Sequence, residues 1–245
     1  MDRPTVIEVE NVRKDFVLRH TRSMKEAFVW LIKGRKGDLS EKFSALKKAD
    51  LTVSQGETVA LLGLNGSGKS TLLKLISGVM QPDAGSIRTR GRVAGLIEVG
   101  AGFHGDLTGR DNVYLNGAIL GMTEKQIEER FDDIVEFSEI GQFIDTEVKF
   151  YSSGMYLRLA FSVAVHTDPD VFLVDEILAV GDEPFQRKCI AKIRELSAAG
   201  KTLVVVSHDL DLVSTVCERG VLLEHGDLLY DGPIDEAVRR MRADR

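Results

Sequence analysis

The nine residues Gly63-Leu64-Asn65-Gly66-Ser67-Gly68-Lys69-Ser70-Thr71 have the types and spacing of a loop that holds polyphosphate. Glycines let consecutive backbone N–H groups curl around phosphate oxygens. A helix starting at the end of the loop then points its partial positive charge at them. Lys69 is spaced to reach the β- and γ-phosphates, and Ser70 to offer a hydroxyl to Mg2+. At ordinary glycine usage the four specified positions coincide by chance at roughly a few in 10⁵ sites, so a nucleoside triphosphate is the expected ligand.

A second cluster follows about a hundred residues later. Val171-Phe172-Leu173-Val174-Asp175-Glu176 is an apolar strand that ends in two carboxylates, which are costly to bury unless they face a metal or a reacting water. Asp175 fits a second-sphere ligand of Mg2+, and Glu176 fits the base that orients or activates the attacking water. His208 ends the next apolar run, TLVVVSHD, at the edge where α/β sheets place ligands, and is expected to contact the γ-phosphate.

These groups need a sheet to hold them. Short apolar strands at VIEVENV (6–12), ETVALLG (57–63), VFLVDE (171–176) and TLVVVSH (202–208) alternate with helical stretches, the pattern of an α/β protein with a largely parallel sheet. The last three are nearly continuous apolar runs, as strands covered on both faces should be. From Thr108 to Val148 the periodicity turns helical, with Thr123 and Gln126 forming a capping box ahead of EKQIEERFDDIVEF. An insertion after Phe16 carries its own helix signal. Ser23 and Glu26 make a second capping box, and Met24, Ala27, Phe28 and Leu31 share one face before Gly34.

Composition bounds the rest. The 245 residues fit one large domain or two small ones, with 43% hydrophobic and 29% charged residues, so the chain folds rather than staying disordered. Cys189 and Cys217 are far apart and are expected to be buried free thiols in a reducing compartment. No signal peptide opens the sequence and no apolar run reaches about 18 residues, so a cytosolic chain is expected, with any membrane role arising through contact. Residues 11–50 hold eleven Lys/Arg against five Asp/Glu, although the whole chain is at −6. An acidic body argues against nucleic-acid binding. The basic segment reads equally as a surface for anionic lipid or as a solvated face.

The order of these motifs resembles the nucleotide-binding subunit of ATP-binding-cassette (ABC) transporters over essentially the whole length. A signature-like segment, YSSGMYLRLAFSVAV (151–165), stands just before the carboxylate strand, and Asp182 falls at the D-loop aspartate position. The resemblance implies a single α/β domain, residues 1–245. Its parts would be a RecA-like P-loop NTPase core, an antiparallel β subdomain, an inserted helical subdomain at about 103–158, an amino-terminal insertion at 17–42 and a short carboxy-terminal helix at 233–245. It also implies ATP with Mg2+, and a homodimer in which Ser152, Ser153 and Gly154 of one subunit complete the site of the other. The ATP site proper would use Gly63, Asn65, Gly66, Ser67, Gly68, Lys69, Ser70 and Thr71, with Phe16 stacking on adenine. An ordinary core role for Phe16 is the alternative. Where the family usually has a glutamine, Glu98 stands in GLIEVGAGF; its carboxylate can meet Mg2+ or water but donates no amide hydrogen.

Three stretches, GLIEVGAGFHGDLTGRDNVYLNG (95–117), YSSGMYLRLAFSVA (151–164) and DEILAVGDEPFQRKC (175–189), narrow the resemblance to polysaccharide and teichoic-acid exporter ATPases. Two copies of a membrane permease, a lipid-linked glycan moved through the complex, and a place on the cytoplasmic face of the cell membrane are then implied. The inserted helix, with Phe28 and Trp30 beside basic residues, would lie near lipid pyrophosphate heads or pack on its own domain. Only PIDEAVRRMRADR follows residue 232, so no appended carbohydrate-binding domain is expected. An exporter of a drug or lipid is the closest rival. A soluble ATPase of this family would call for tandem cassettes or a long coiled coil, and a P-loop kinase for an acceptor pocket; none of these is visible.

Overall fold

The computed structural model describes residues 3–19, 40–96, 100, 102–175 and 182–243. The Ser23/Glu26 helix signal, Glu98 and Glu176 lie outside the described residues. The chain runs β1 (Thr5–Arg19), β2 (Ser40–Ser54), β3 (Thr58–Leu62), α1 (Lys69–Ile76), β4 (Ala84–Thr89) and β5 (Val93–Gly95). The helices α2 (Gly109–Ile119), α3 (Glu124–Ser138) and α4 (Ser153–Val165) follow. The last part is β6 (Val171–Val174), α5 (Glu183–Ala198), β7 (Thr202–Val206), α6 (Leu210–Val216), β8 (Arg219–Glu224), β9 (Asp227–Pro233) and α7 (Ile234–Ala243).

The described strands form one nine-stranded sheet in the order β4-β1-β2-β9-β8-β3-β7-β6-β5. Its centre is parallel: β8, β3, β7, β6 and β5 all run the same way. One flank is antiparallel, with β1 paired to β2 and β4. The parallel strands alternate cleanly between two cores. Ala60, Leu62, Phe172, Val174, Leu203 and Val205 face the helices α4 to α7, whereas Val59, Leu61, Val171, Leu173, Val204 and Val206 face α1 and the β1–β2 layer. This two-sided burial explains why these strands read as unbroken apolar runs. Phe161, Phe172 and Phe185 are fully buried on the first side, and each such side chain contributes about 1.5–3 kcal/mol.

β1 is longer than the VIEVENV strand expected at 6–12. Its second half, with Arg13, Lys14 and Asp15, is too polar to register as a strand, yet it is held by the ladder to β2 and by ion pairs of Arg13 with Asp15 and Lys14 with Asp83. Helices α2 to α4 enclose a separate small core of Val113, Ile127, Ile134, Ile140, Leu159 and Val163. Capping boxes open both α2, at Thr108 and Asp111, and α3, at Thr123 and Gln126. Cys189 and Cys217 are buried free thiols, and burial pushes both up to about 12, so they stay protonated.

Candidate functional site

The loop of residues 63–68 leaves β3 and turns straight into α1. Two glycines are required by the geometry. Gly63 has φ +147°, and a Cβ there would sit 2.2 Å from the Leu223 carbonyl oxygen; Gly68 has φ +109°, and a Cβ there would sit 2.5 Å from the Ala45 carbonyl oxygen. Gly68 caps α1 without any side-chain hydrogen bond to the first turn, so the helix presents backbone N–H groups, the arrangement that receives phosphate. Lys69 is only 5% exposed, and its ammonium donates to the carbonyls of Gly63 (2.8 Å) and Leu64 (3.1 Å). Within the loop the Ser67 hydroxyl is buried with no hydrogen-bond partner among the described residues, at the cost of an unmade bond.

A cavity of about 370 Å³ opens beside the loop, lined by Asn65, Gly66, Gly68, Lys69, Ser70 and Thr71 on one side and by Phe16, Phe43 and Ala45 on the other. Phe16 and Phe43 are direct partners across the β1–β2 ladder. The sequence pointed to Phe16 and missed Phe43, because only the register of that ladder brings the two rings to one wall. Gly63 and Ser67 belong to the loop but do not line the cavity.

Asp175 and His208 reach the same sheet edge by register. Val174 pairs with Val205 and Leu61 with Val206, so Asp175, one residue beyond β6, and His208, two beyond β7, leave the sheet where β3 enters the loop. Asp175 is half-buried and His208 is exposed.

Ser152 caps α4, accepting from the Met155 N–H at 3.2 Å, with Ser153 and Gly154 in the first turn. Ser152 and Ser153 are exposed, and none of the three lines the cavity of their own chain. Asp182 caps α5 through the Phe185 N–H and pairs with Arg158 of α4 at 2.6 Å. Arg158 also bonds Glu139 at 2.7 Å and lies over the Phe185 ring. Lys188, and then Arg158, hold the Glu139 carboxyl below the usual carboxylate range. Sequence reasoning missed Arg158, whose partners come from two separate segments, Glu139 after α3 and Asp182 with Phe185 at the start of α5.

A phosphate loop on β3, a carboxylate strand two places along the same parallel sheet and a capped serine–glycine helix start define a nucleotide-hydrolysing cassette. The ABC transporter family model matches residues 46–179, and the chain belongs to that family. It is 50% identical over 227 residues to the ABC transporter protein AbcA of Aeromonas salmonicida, covering 93% of this chain and 72% of that one. It is 44% identical over 242 residues to the O-antigen export system ATP-binding protein RfbB of Klebsiella pneumoniae, covering 95% and 96%. Among solved structures, a dimeric ATP-binding cassette in a post-hydrolysis state with ADP and Pi superimposes with a TM-score of 0.72 at 23% identity, over 93% of this chain and 98% of that one. The chain is an ATP-binding, ATP-hydrolysing cassette.

Proposed function

We propose that this cassette powers export of a lipid-linked polysaccharide across the cytoplasmic membrane through a partner membrane subunit. The observation that carries the reading is the 44% identity to an O-antigen export ATP-binding protein along nearly the full length of both chains. Among the described residues no helix is long and apolar enough to cross a membrane, which is compatible with a cassette docked on the cytoplasmic face of two permease copies.

In this reading two copies of the chain close around two ATP molecules. Lys69, the loop N–H groups and the α1 terminus hold the phosphates of each nucleotide, and Ser152, Ser153 and Gly154 of the opposite copy approach the γ-phosphate. Phe16 stacks on adenine with Phe43 beside it. Asp182 serves the dimer face, and His208 contacts the γ-phosphate. Glu176 takes the proton of the attacking water. The residues fit Mg2+ at the mouth of the loop: the Ser70 hydroxyl lines the cavity and Asp175 lies at the adjoining strand end, an oxygen set suited to a hard cation that keeps several waters. When bound, Mg2+ neutralises charge on the phosphates; Glu98 is assigned as a further contact. Closure on ATP shifts the permeases, and hydrolysis reopens the pair.

Replacing Phe16 with alanine is predicted to weaken ATP binding about 5- to 150-fold, the worth of a stacked base on an aromatic face, with kcat at saturating ATP little changed. An unchanged Kd in a nucleotide titration removes Phe16 from the adenine site. The export reading is tested by depleting the protein in its native host and analysing polyprenyl-linked glycans in lipid extracts. Accumulation of one long polymer on the cytosolic side is expected, and its sugar composition names the cargo. Unchanged lipid-linked glycans under confirmed depletion reject polysaccharide export.

A further inference from the structure

The helix capped by Ser152 is tied through the Tyr156 side chain to Gly100, in the segment between β5 and α2. Tyr156 sits one turn into α4, its N–H bonded to the Ser152 carbonyl at 3.0 Å. Its hydroxyl donates to the Gly100 carbonyl oxygen at 2.8 Å. Burial raises the phenol's pKa, so it remains an O–H donor. The ring occupies the space a Cβ on Gly100 would take, 2.4 Å away, and Gly100 has φ +81°, so only glycine accepts this approach. The other face of the contact is Phe103, edge-on to Tyr156 with centroids 5.1 Å apart.

Four residues earlier in the chain, the Leu96 N–H bonds the Leu173 carbonyl at 2.8 Å, on the strand that leads to Asp175. Beyond Gly100 the loop is pinned again: the His104 N–H donates to Asn112 Oδ1 at 2.7 Å, and the fully buried Asn112 amide returns a bond to the His104 carbonyl. Leu96, Gly100 and His104 are thus held by hydrogen bonds to β6, α4 and α2 in turn, and the one from α4 comes from the Tyr156 hydroxyl.

We propose that Tyr156 is a positioning residue for ATP hydrolysis, latching the serine–glycine end of α4 to Gly100 so that a shift of one is imposed on the other. The proposal rests on the assignment of residues 152–154 to the partner's γ-phosphate. Tyr156 does not line the cavity beside the phosphate loop; it acts through Gly100.

The test is steady-state hydrolysis and equilibrium ATP binding by the full chain with tyrosine, phenylalanine or alanine at 156. Tyr156→Phe keeps the ring against Phe103 and removes only the hydroxyl. It is expected to lower kcat about tenfold, as misplacement of groups remote from the chemistry does, with KM, Kd and melting temperature near wild type. Tyr156→Ala is expected to lower kcat further. A purely packing role predicts wild-type kcat for Tyr156→Phe, and that result overturns the proposal. A rise in KM at unchanged kcat overturns it as well. Gly154→Asp is measured in parallel: if that variant hydrolyses ATP normally, the assignment of residues 152–154 fails, whereas a silent Tyr156→Phe beside an inactive Gly154→Asp defeats the latch alone.

Discussion

Replacing Lys69 with alanine weakens ATP binding about a hundredfold, or about 2.7 kcal/mol, and removes hydrolysis. The argument starts from burial. Lys69 is 5% exposed, and its ammonium is held by the Gly63 and Leu64 carbonyls and so stands ready inside the loop. Charge-assisted hydrogen bonds to phosphate are worth about 1.5–3 kcal/mol, and the ammonium also offsets the charge of the β- and γ-phosphates. The substitution loses that attraction and leaves two loop carbonyls with fewer donors, so a small drop in melting temperature accompanies it. Titration with fluorescent ATP reads the effect directly. Wild-type affinity in a folded Lys69→Ala chain would falsify the phosphate-loop assignment.

Glutamine at 176 is predicted to stall the cycle after binding. Asp175 emerges one residue beyond β6, beside the edge where β3 enters the phosphate loop and where the residues after β7 leave the sheet. In the proposed cycle the next residue in the chain, Glu176, is the one assigned to the reacting water. A carboxylate accepts the water's proton; the amide of nearly equal size does not. Loss of a positioned general base costs about 10²–10⁴ in rate. Glu176→Gln is thus expected to lower kcat at least a hundredfold with little change in KM, and to accumulate an ATP-bound dimer by size-exclusion chromatography in ATP. Turnover near wild type takes the base role away from Glu176.

The parts of this site that were legible in the sequence are those written in contiguous residues. The loop of residues 63–71 is one, and the Thr123–Gln126 capping box is another, because its partners are three residues apart. The parallel strands were legible because burial on both faces leaves an unbroken apolar run. What the sequence hid depends on pairing over long separations. Phe43 joins Phe16 only through a ladder that spans the insertion. The polar second half of β1 carries no strand pattern of its own and is fixed by its partner. Tyr156 looks like any residue following the serine–glycine pair until the fold brings Gly100, 56 residues upstream, under its hydroxyl. Arg158 likewise gains its meaning from Glu139 and Asp182.

ATP hydrolysis as the driving force of polysaccharide export is tested most directly by complementation. In host cells depleted of this chain, wild-type protein and the Glu176→Gln variant are expressed to equal levels, and cytosolic lipid-linked glycan is measured. The wild-type chain is expected to clear the polymer, and Glu176→Gln to leave it accumulated. Clearance by both would contradict the account, since export would then proceed without turnover at this site.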